Sequence, residues 1–163
     1  MQLIPGDAKR LVRCVRRVLV AEDDEDTRTL LAWGLRLHGY EVVEVTSGTE
    51  LFDVLTTCLN SEEQMPDLIL SDVRMPGFSG IEVLSCMDQA ELGVPFILMS
   101  AFSDEETKKK GQDNGAAAFL AKPFEFERLL AAIDQTLGTP PKEAPPTSEG
   151  IPWSAPFSAR KGK

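Results

Sequence analysis

Short apolar runs alternate along the chain with segments in which apolar residues recur at helical spacing. The runs have the length and the β-branched content of strands, and they are Val18–Ala21, Glu41–Val45, Leu68–Ser71, Phe96–Ser100 and Ala117–Ala121. Apolar strands joined by helical crossovers are typical of a parallel sheet covered on both faces, with right-handed connections. The pattern therefore predicts an α/β protein built from five successive βα units, a (βα)5 doubly wound sheet.

The helical segments differ in how much apolar surface they offer. The helix after the first strand stops at His38-Gly39, a glycine signal for a helix end, and the last helix repeats apolar residues from Phe126 to Leu137. The third helix is predicted near Ile81 to Leu92. The fourth, near Ser103 to Asn114, is almost entirely polar. We expect low local stability there, because few apolar contacts hold such a helix to its core.

Charge divides the chain into three parts. The chain has 163 residues, 42% of them hydrophobic, and a net charge of −9, which suits one globular domain with a real core. Residues 1–17 carry five basic groups against one acid, or +4, and residues 139–163 carry four against two, or +2, so residues 18–138 carry −15. We predict a basic extension over 1–16, a domain over 17–138 and a proline-rich, disordered tail over 139–163. The acidic domain is expected not to bind nucleic acid directly, because it repels phosphates.

Several functional classes are disfavoured by composition. No apolar stretch approaches the roughly 20 residues that span a bilayer, and no signal-peptide core is present, so a cytoplasmic protein without membrane association is expected. Cys14, Cys58 and Cys86 are odd in number and widely separated, which argues against a disulfide framework. His38 is the only histidine, so zinc sites and histidine-based triads are nearly excluded.

Charged side chains stand where three of the predicted strands end. Asp72 follows the third strand, Glu22-Asp23-Asp24 follows the first, and Lys122 follows the fifth. Parallel α/β sheets place their ligand sites at the carboxyl ends of their strands. Acids and a lysine brought together there indicate a site for a divalent cation and a phosphoryl group.

These motifs, in this order, resemble the receiver domain of two-component response regulators. The resemblance spans about residues 17–138 and rests on the acid pair Glu22-Asp23, on Asp72 with Arg74-Met75-Pro76 after it, on Ser100-Ala101, on Phe119 and on Lys122-Pro123. It implies a flavodoxin-like, CheY-like fold with strand order 2-1-3-4-5. It also implies a cis peptide before Pro123.

The resemblance also implies a role for each matched residue. Asp23 and Asp72 would bind Mg2+ directly, Glu22 would act mainly through water, and the backbone carbonyl of Arg74 would complete the protein ligands. No other cofactor is implied.

Phosphoryl chemistry follows from the same resemblance. Asp72 would be the phosphoacceptor, with Lys122 and Ser100 each contacting a phosphoryl oxygen. Ser100 and Phe119 would then form the switch that couples phosphorylation to shape. The protein would signal rather than act as an enzyme on other substrates.

The register of the first acid cluster has two readings, because Asp23 and Asp24 are both plausible ligands. The family spacing to Arg28 favours Glu22-Asp23. Asp24 and Asp26 are then expected to stabilise the amino terminus of the first helix through capping and the helix dipole.

The expected partners are a sensor histidine kinase or histidine phosphotransfer protein and an unknown downstream protein, contacted through the fourth helix, fifth strand and fifth helix.

A stand-alone receiver is the first reading, and a fragment of a longer regulator or hybrid kinase is the alternative. A haloacid-dehalogenase-like phosphatase is a weaker rival, since that family needs an acid two residues after its nucleophile, where this chain has Arg74. A receiver-like module that is never phosphorylated is the third reading. Residues 151–157 are a docking peptide, a plain tail or the start of an interdomain linker.

Overall fold

Five parallel strands form one sheet in the order β2-β1-β3-β4-β5, as predicted. The structure, a computed structural model, describes residues 15–61, 64–101 and 104–138. The strands are β1 (Arg17–Ala21), β2 (Glu41–Val45), β3 (Leu68–Asp72), β4 (Phe96–Ser100) and β5 (Ala118–Ala121). The helices are α1 (Glu25–Leu37), α2 (Gly48–Asn60), α3 (Gly80–Gln89), α4 (Glu105–Asp113) and α5 (Phe126–Leu137).

The strand ends differ slightly from the sequence prediction. β3 includes Asp72, which pairs with Met99 of β4, so Asp72 is the last residue of its strand rather than the first of the turn. The next residue, Val73, still donates its N–H to the Met99 carbonyl at 2.8 Å. Cross-strand pairing, which apolar patterning does not report, thus extends the strand through the polar residue. β5 begins one residue later than predicted, at Ala118.

Two helices, α3 and α4, are shorter than their patterns indicated. α3 ends at Gln89, not near Leu92, because Glu91 adopts a positive φ of 53° that leaves the helical region. Of the nine described residues of α4, Gly111 alone is buried. The predicted lack of apolar surface on α4 is confirmed, and its low local stability stays a prediction.

The sheet separates two apolar cores, one on each face. Val18, Leu70 and Leu120 pack on one face, and Leu19 and Leu98 pack on the other. Side chains alternate between faces along a strand. Glu22, Asp72 and Lys122 follow residues of the first face by two positions, so their side chains lie on that face. Ser100 and Phe119 lie on the second face, with Leu98. Strand alternation therefore places the acid–lysine set and the serine–phenylalanine pair on opposite faces of the sheet.

Two of the predicted segments lie almost wholly outside the described residues. They are the basic extension, apart from its last two residues, and the proline-rich tail with residues 151–157. In the described ranges, no helix combines the length and the hydrophobicity needed to cross a membrane.

Candidate functional site

The carboxyl edge of the sheet brings together the three charged residues that end β1, β3 and β5. Lys122 Nζ lies 2.9 Å from Asp72 Oδ2, and it also contacts Glu22 Oε2. Lys122 was expected to face a phosphoryl oxygen, and here its ammonium joins two carboxylates. The strands all run in the same direction, so their carboxyl ends lie at one edge of the sheet. Lys122 therefore meets Glu22 and Asp72, which precede it by 100 and 50 residues.

Burial makes this edge electrostatically unusual. Glu22 is fully buried, Asp72 is 9% exposed, and the Lys122 side chain is 14% exposed. Burial raises the pKa of Glu22 from 4.5 to about 7, with Asp72 adding to the rise, although Lys122 opposes it. Burial alone would lower the pKa of Lys122, but the negative charges of Glu22 and Asp72 outweigh it and raise that pKa. Lys122 therefore stays charged and holds the phosphoacceptor candidate in place.

Three carboxylates form a compact oxygen cluster beside Lys122. One oxygen each from Glu22, Asp23 and Asp72 lies within 4.8 Å of the other two. Glu22 and Asp72 are buried, whereas Asp23 faces solvent. Carboxylate oxygens in this number are the donors that Mg2+ and similar hard cations prefer, so the residues fit such an ion.

Asp24, the other possible ligand in the acid run, is engaged elsewhere. It is the N-cap of α1, and its Oδ2 accepts a hydrogen bond from the Thr27 backbone N–H at 2.9 Å. Asp26 lies in the first turn of the same helix. The expected capping role of Asp24 is confirmed, and the structure brings Asp23, not Asp24, into the carboxylate cluster.

Arg28 contacts this site, although the sequence analysis considered it only for its spacing from the acid pair. Its Nη1 donates to the Glu22 carbonyl oxygen at 3.0 Å, and its Nε lies 3.7 Å from Glu44 Oε1 on β2. A signal was available in the sequence, because an arginine in the first turns of a helix reaches back toward the helix amino terminus. Its particular target could not be read from spacing.

The loop after β3 is packed closely against Asp72. The Arg74 backbone N–H donates to Asp72 Oδ1 at 3.3 Å. Gly80, the first residue of α3, has no room for a side chain, since a Cβ there would lie 2.4 Å from the Asp72 carbonyl oxygen and 2.9 Å from Ser71 Oγ. A glycine is therefore required behind the strand end that carries Asp72.

Ser100 and Phe119 lie on neighbouring strands at the side of the site. Ser100 is buried, and its carbonyl accepts the Lys122 backbone N–H at 2.8 Å. Phe119 is half-buried and packs on the core that includes Leu98. The Lys122-Pro123 peptide is cis, as the resemblance implied.

Known proteins match this fold and this sequence. The family model of the response regulator receiver domain matches residues 18–134. The transcriptional regulatory protein PdtaR of Mycobacterium tuberculosis is 38% identical over 120 residues, which are 73% of this chain and 55% of PdtaR. The transcriptional regulatory protein PrrA of Mycobacterium leprae is 34% identical over 135 residues, 83% of this chain and 55% of PrrA. The chain thus spans about half the length of these curated relatives.

Solved structures agree. The chemotaxis protein CheY4 of Vibrio cholerae has a TM-score of 0.67 at 27% identity, covering 76% of this chain and 99% of CheY4. The receiver domain of the Francisella response regulator 1452 has a TM-score of 0.67 at 26% identity, covering 74% of this chain and 94% of its own. The chain belongs to the response regulator receiver domain family. It carries a receiver domain of two-component signal transduction, as its strand-end motifs predicted.

Proposed function

We propose that the chain is a phosphoacceptor in a two-component phosphorelay and that Asp72 is the residue phosphorylated. The observation that carries the proposal is the position of Asp72, which ends the central strand β3 with one carboxylate oxygen held 2.9 Å from Lys122. In the reaction, an Asp72 oxygen forms a bond to the phosphorus of the donor while the bond from phosphorus to the donor's leaving group breaks. The electron pair of the broken bond departs with the leaving group.

Mg2+ fits the carboxylate cluster and would be held by Asp23 and Asp72 directly, by Glu22 through water and by the Arg74 carbonyl. When bound, the ion would neutralise charge that builds up between the anionic carboxylate and the anionic phosphoryl group. Support for this assignment comes from the three carboxylates within 4.8 Å and from the hard-oxygen character of the donors.

Lys122 and Ser100 would bind the transferred phosphoryl group. The Lys122 ammonium is already aimed at Asp72 by an ion pair, so little reorganisation is needed for it to meet a phosphoryl oxygen. Ser100 would donate its hydroxyl to a second oxygen. Its backbone is tied to that of Lys122, so both donors would share one rigid strand pair.

Phe119 would complete the switch. It lies on β5, and its ring comes within 3.6 Å of a Cβ placed at Gly111 of α4. A change in the Phe119 rotamer would therefore bear on α4, which has little other attachment. We assign output to the face formed by α4, β5 and α5, and the phosphodonor to a sensor histidine kinase or phosphotransfer protein. The chain would act alone or as part of a longer regulator.

The test is Mg2+-dependent phosphorylation by acetyl phosphate, followed by intact mass and by hydroxylamine sensitivity. We expect one labile phosphate on the parent and on Asp88→Asn, a matched control near the carboxyl end of α3. Asp72→Asn should accept none. Modification of Asp72→Asn to the parent extent would contradict the assignment.

Two rival functions give different results in the same assay. Continuous release of inorganic phosphate from a stable phosphoester such as p-nitrophenyl phosphate would favour a phosphatase. Absence of any phosphate on the parent, with a purified histidine kinase as well as acetyl phosphate, would favour an interaction module that is not phosphorylated.

A further inference from the structure

Arg28 connects the edge strand β2 to the acid cluster. It lies near the start of α1 with its side chain only 14% exposed. At one end, its Nη1 donates to the Glu22 carbonyl at 3.0 Å, and along the guanidinium its Nε faces Glu44 at 3.7 Å. Arg28 therefore bridges Glu44 of β2 and the loop that follows β1.

The Glu22 carbonyl has a particular need for such a donor. Pairing of β1 with both of its neighbours stops at Ala21, opposite Val45 and Ser71. The Glu22 N–H still reaches the Val45 carbonyl at 3.2 Å, but the described strands offer no backbone partner to the Glu22 carbonyl. A carbonyl at a buried strand end must be hydrogen-bonded to avoid a desolvation cost, and Arg28 supplies the bond.

Hydrogen bonds therefore hold the backbone around the Glu22–Asp23 peptide on both sides. The Glu22 carboxylate contacts Lys122 and accepts the Asp24 N–H at 3.1 Å, while Arg28 holds the carbonyl. The Asp23 side chain, by contrast, is exposed, and no hydrogen bond to it is found among the residues that the structure describes. Where the Asp23 carboxylate stands is therefore set by its backbone.

We propose that Arg28 is a positioning residue of the cation site, which fixes the Asp23 carboxylate by holding the Glu22 carbonyl. Arg28 touches neither the ion nor the phosphoryl group in this role. The inference rests on the proposed function, because it requires that Asp23 bind a divalent cation. Groups that orient metal ligands from behind typically change metal affinity by about 10- to 100-fold when removed.

The experiment measures Mg2+ affinity calorimetrically in four proteins: the parent, Arg28→Met, Arg28→Lys and Arg36→Met. Methionine keeps most of the aliphatic length and removes the donors. Arg36 is the matched control, because it also binds Glu44, at 3.1 Å, but its other bond goes to the Val42 carbonyl and not to Glu22. Thermal unfolding in EDTA accompanies each titration and reports whether the variant is folded.

We expect Arg28→Met to weaken Mg2+ binding about 10-fold, Arg28→Lys to recover part of the loss, and Arg36→Met to stay within about twofold of the parent. Phosphorylation by acetyl phosphate at saturating Mg2+ should return nearly to the parent rate in Arg28→Met, since the ion and not the chemistry is affected. If Arg28→Met does not fold, the Arg28→Lys and Arg28→Gln variants carry the comparison, and both should bind Mg2+ more weakly than Arg36→Met does.

Three results would overturn the inference, and they are distinguishable. Equal affinity of the parent and the Arg28 variants, or an equal loss in Arg36→Met, would show that Arg28 does not position Asp23, with the proposed function intact. A parent that binds no Mg2+ would overturn the cation site itself, and the positioning role with it.

Discussion

Lys122 and Asp72 are 50 residues apart in the sequence and form an ion pair of 2.9 Å at the carboxyl edge of the sheet. The same ammonium contacts the fully buried Glu22, so one cation neutralises two acids that burial would otherwise penalise. The local electrostatics of the site depend on this sharing. Removing the lysine leaves two uncompensated carboxylates, and removing either acid leaves the other pair intact.

Replacement of Lys122 by methionine should reduce the free energy of unfolding by roughly 3 kcal/mol at pH 8, because breaking a buried pair strands its charges. The loss should be smaller near pH 5.5, where Glu22 takes up a proton instead. Urea unfolding in EDTA measures both values. The matched control is Lys110→Met, whose 3.1 Å pair with Glu106 is well exposed and should contribute less than about 0.5 kcal/mol. Equal losses in the two variants would contradict a special role for the buried pair.

Glu22 should make stability fall as pH rises from 5 to 7.5. Its pKa is about 7 in the folded protein against an ordinary value of 4.5, so between these values the folded state holds more protons than the unfolded state. The contribution is fully present below pH 4.5 and is lost as pH rises through 7. Each pKa unit corresponds to about 1.4 kcal/mol, which limits the effect of the rise from 4.5 to about 7 to about 3.5 kcal/mol.

The measurement is the difference in unfolding free energy between the parent and Glu22→Gln, taken across this pH range without divalent cation. Other titrating groups are common to both proteins and cancel. We expect the parent to lose stability relative to the variant as pH rises. Parallel curves would show that Glu22 titrates alike in the folded and unfolded chains.

Asp23 and Asp24 should separate cleanly when each is changed to asparagine. Asp23→Asn removes a negative charge from the proposed cation site and should weaken Mg2+ binding at least about 10-fold, whereas Asp24→Asn keeps a good helix cap and should change it little. Asp24→Ala should cost about 1 kcal/mol of stability through the lost bond to Thr27. Calorimetric Mg2+ titration and urea unfolding distinguish the two residues, and the reverse pattern would move the ligand to Asp24.

Gly80→Ala should disturb Asp72 through simple lack of space. The added Cβ would meet the Asp72 carbonyl at 2.4 Å, so β3 or α3 must shift, at about 1–3 kcal/mol, and Mg2+ affinity should fall with it. Gly93→Ala is the control, because Gly93 has a φ of +68° but a Cβ added there would meet no atom of the described residues within 4 Å. It should lose about 1 kcal/mol through backbone strain and leave Mg2+ binding unchanged. Mg2+ affinity that is the same in both variants would argue against the close packing.

The parallel strands, their helical crossovers and the edge at which the charged residues meet follow from local patterns in the sequence. Apolar strands of four to five residues can be recognised locally, and parallel strand direction then carries Asp72 and Lys122 to one edge without further information. The capping role of Asp24 was also local, since it depends on a hydrogen bond three residues away. The family could be recognised from the motifs because each motif consists of neighbouring residues.

Tertiary structure decided which atoms touch. Whether β3 ends at Ser71 or Asp72 depends on pairing with Met99, and the target of Lys122 depends on how two strand ends converge. Arg28 reaches the Glu22 carbonyl one residue beyond the point where β1 stops pairing with β3. Such contacts require distances that are right to within tenths of an ångström between segments far apart in the chain. Residue types and their spacing do not specify those distances.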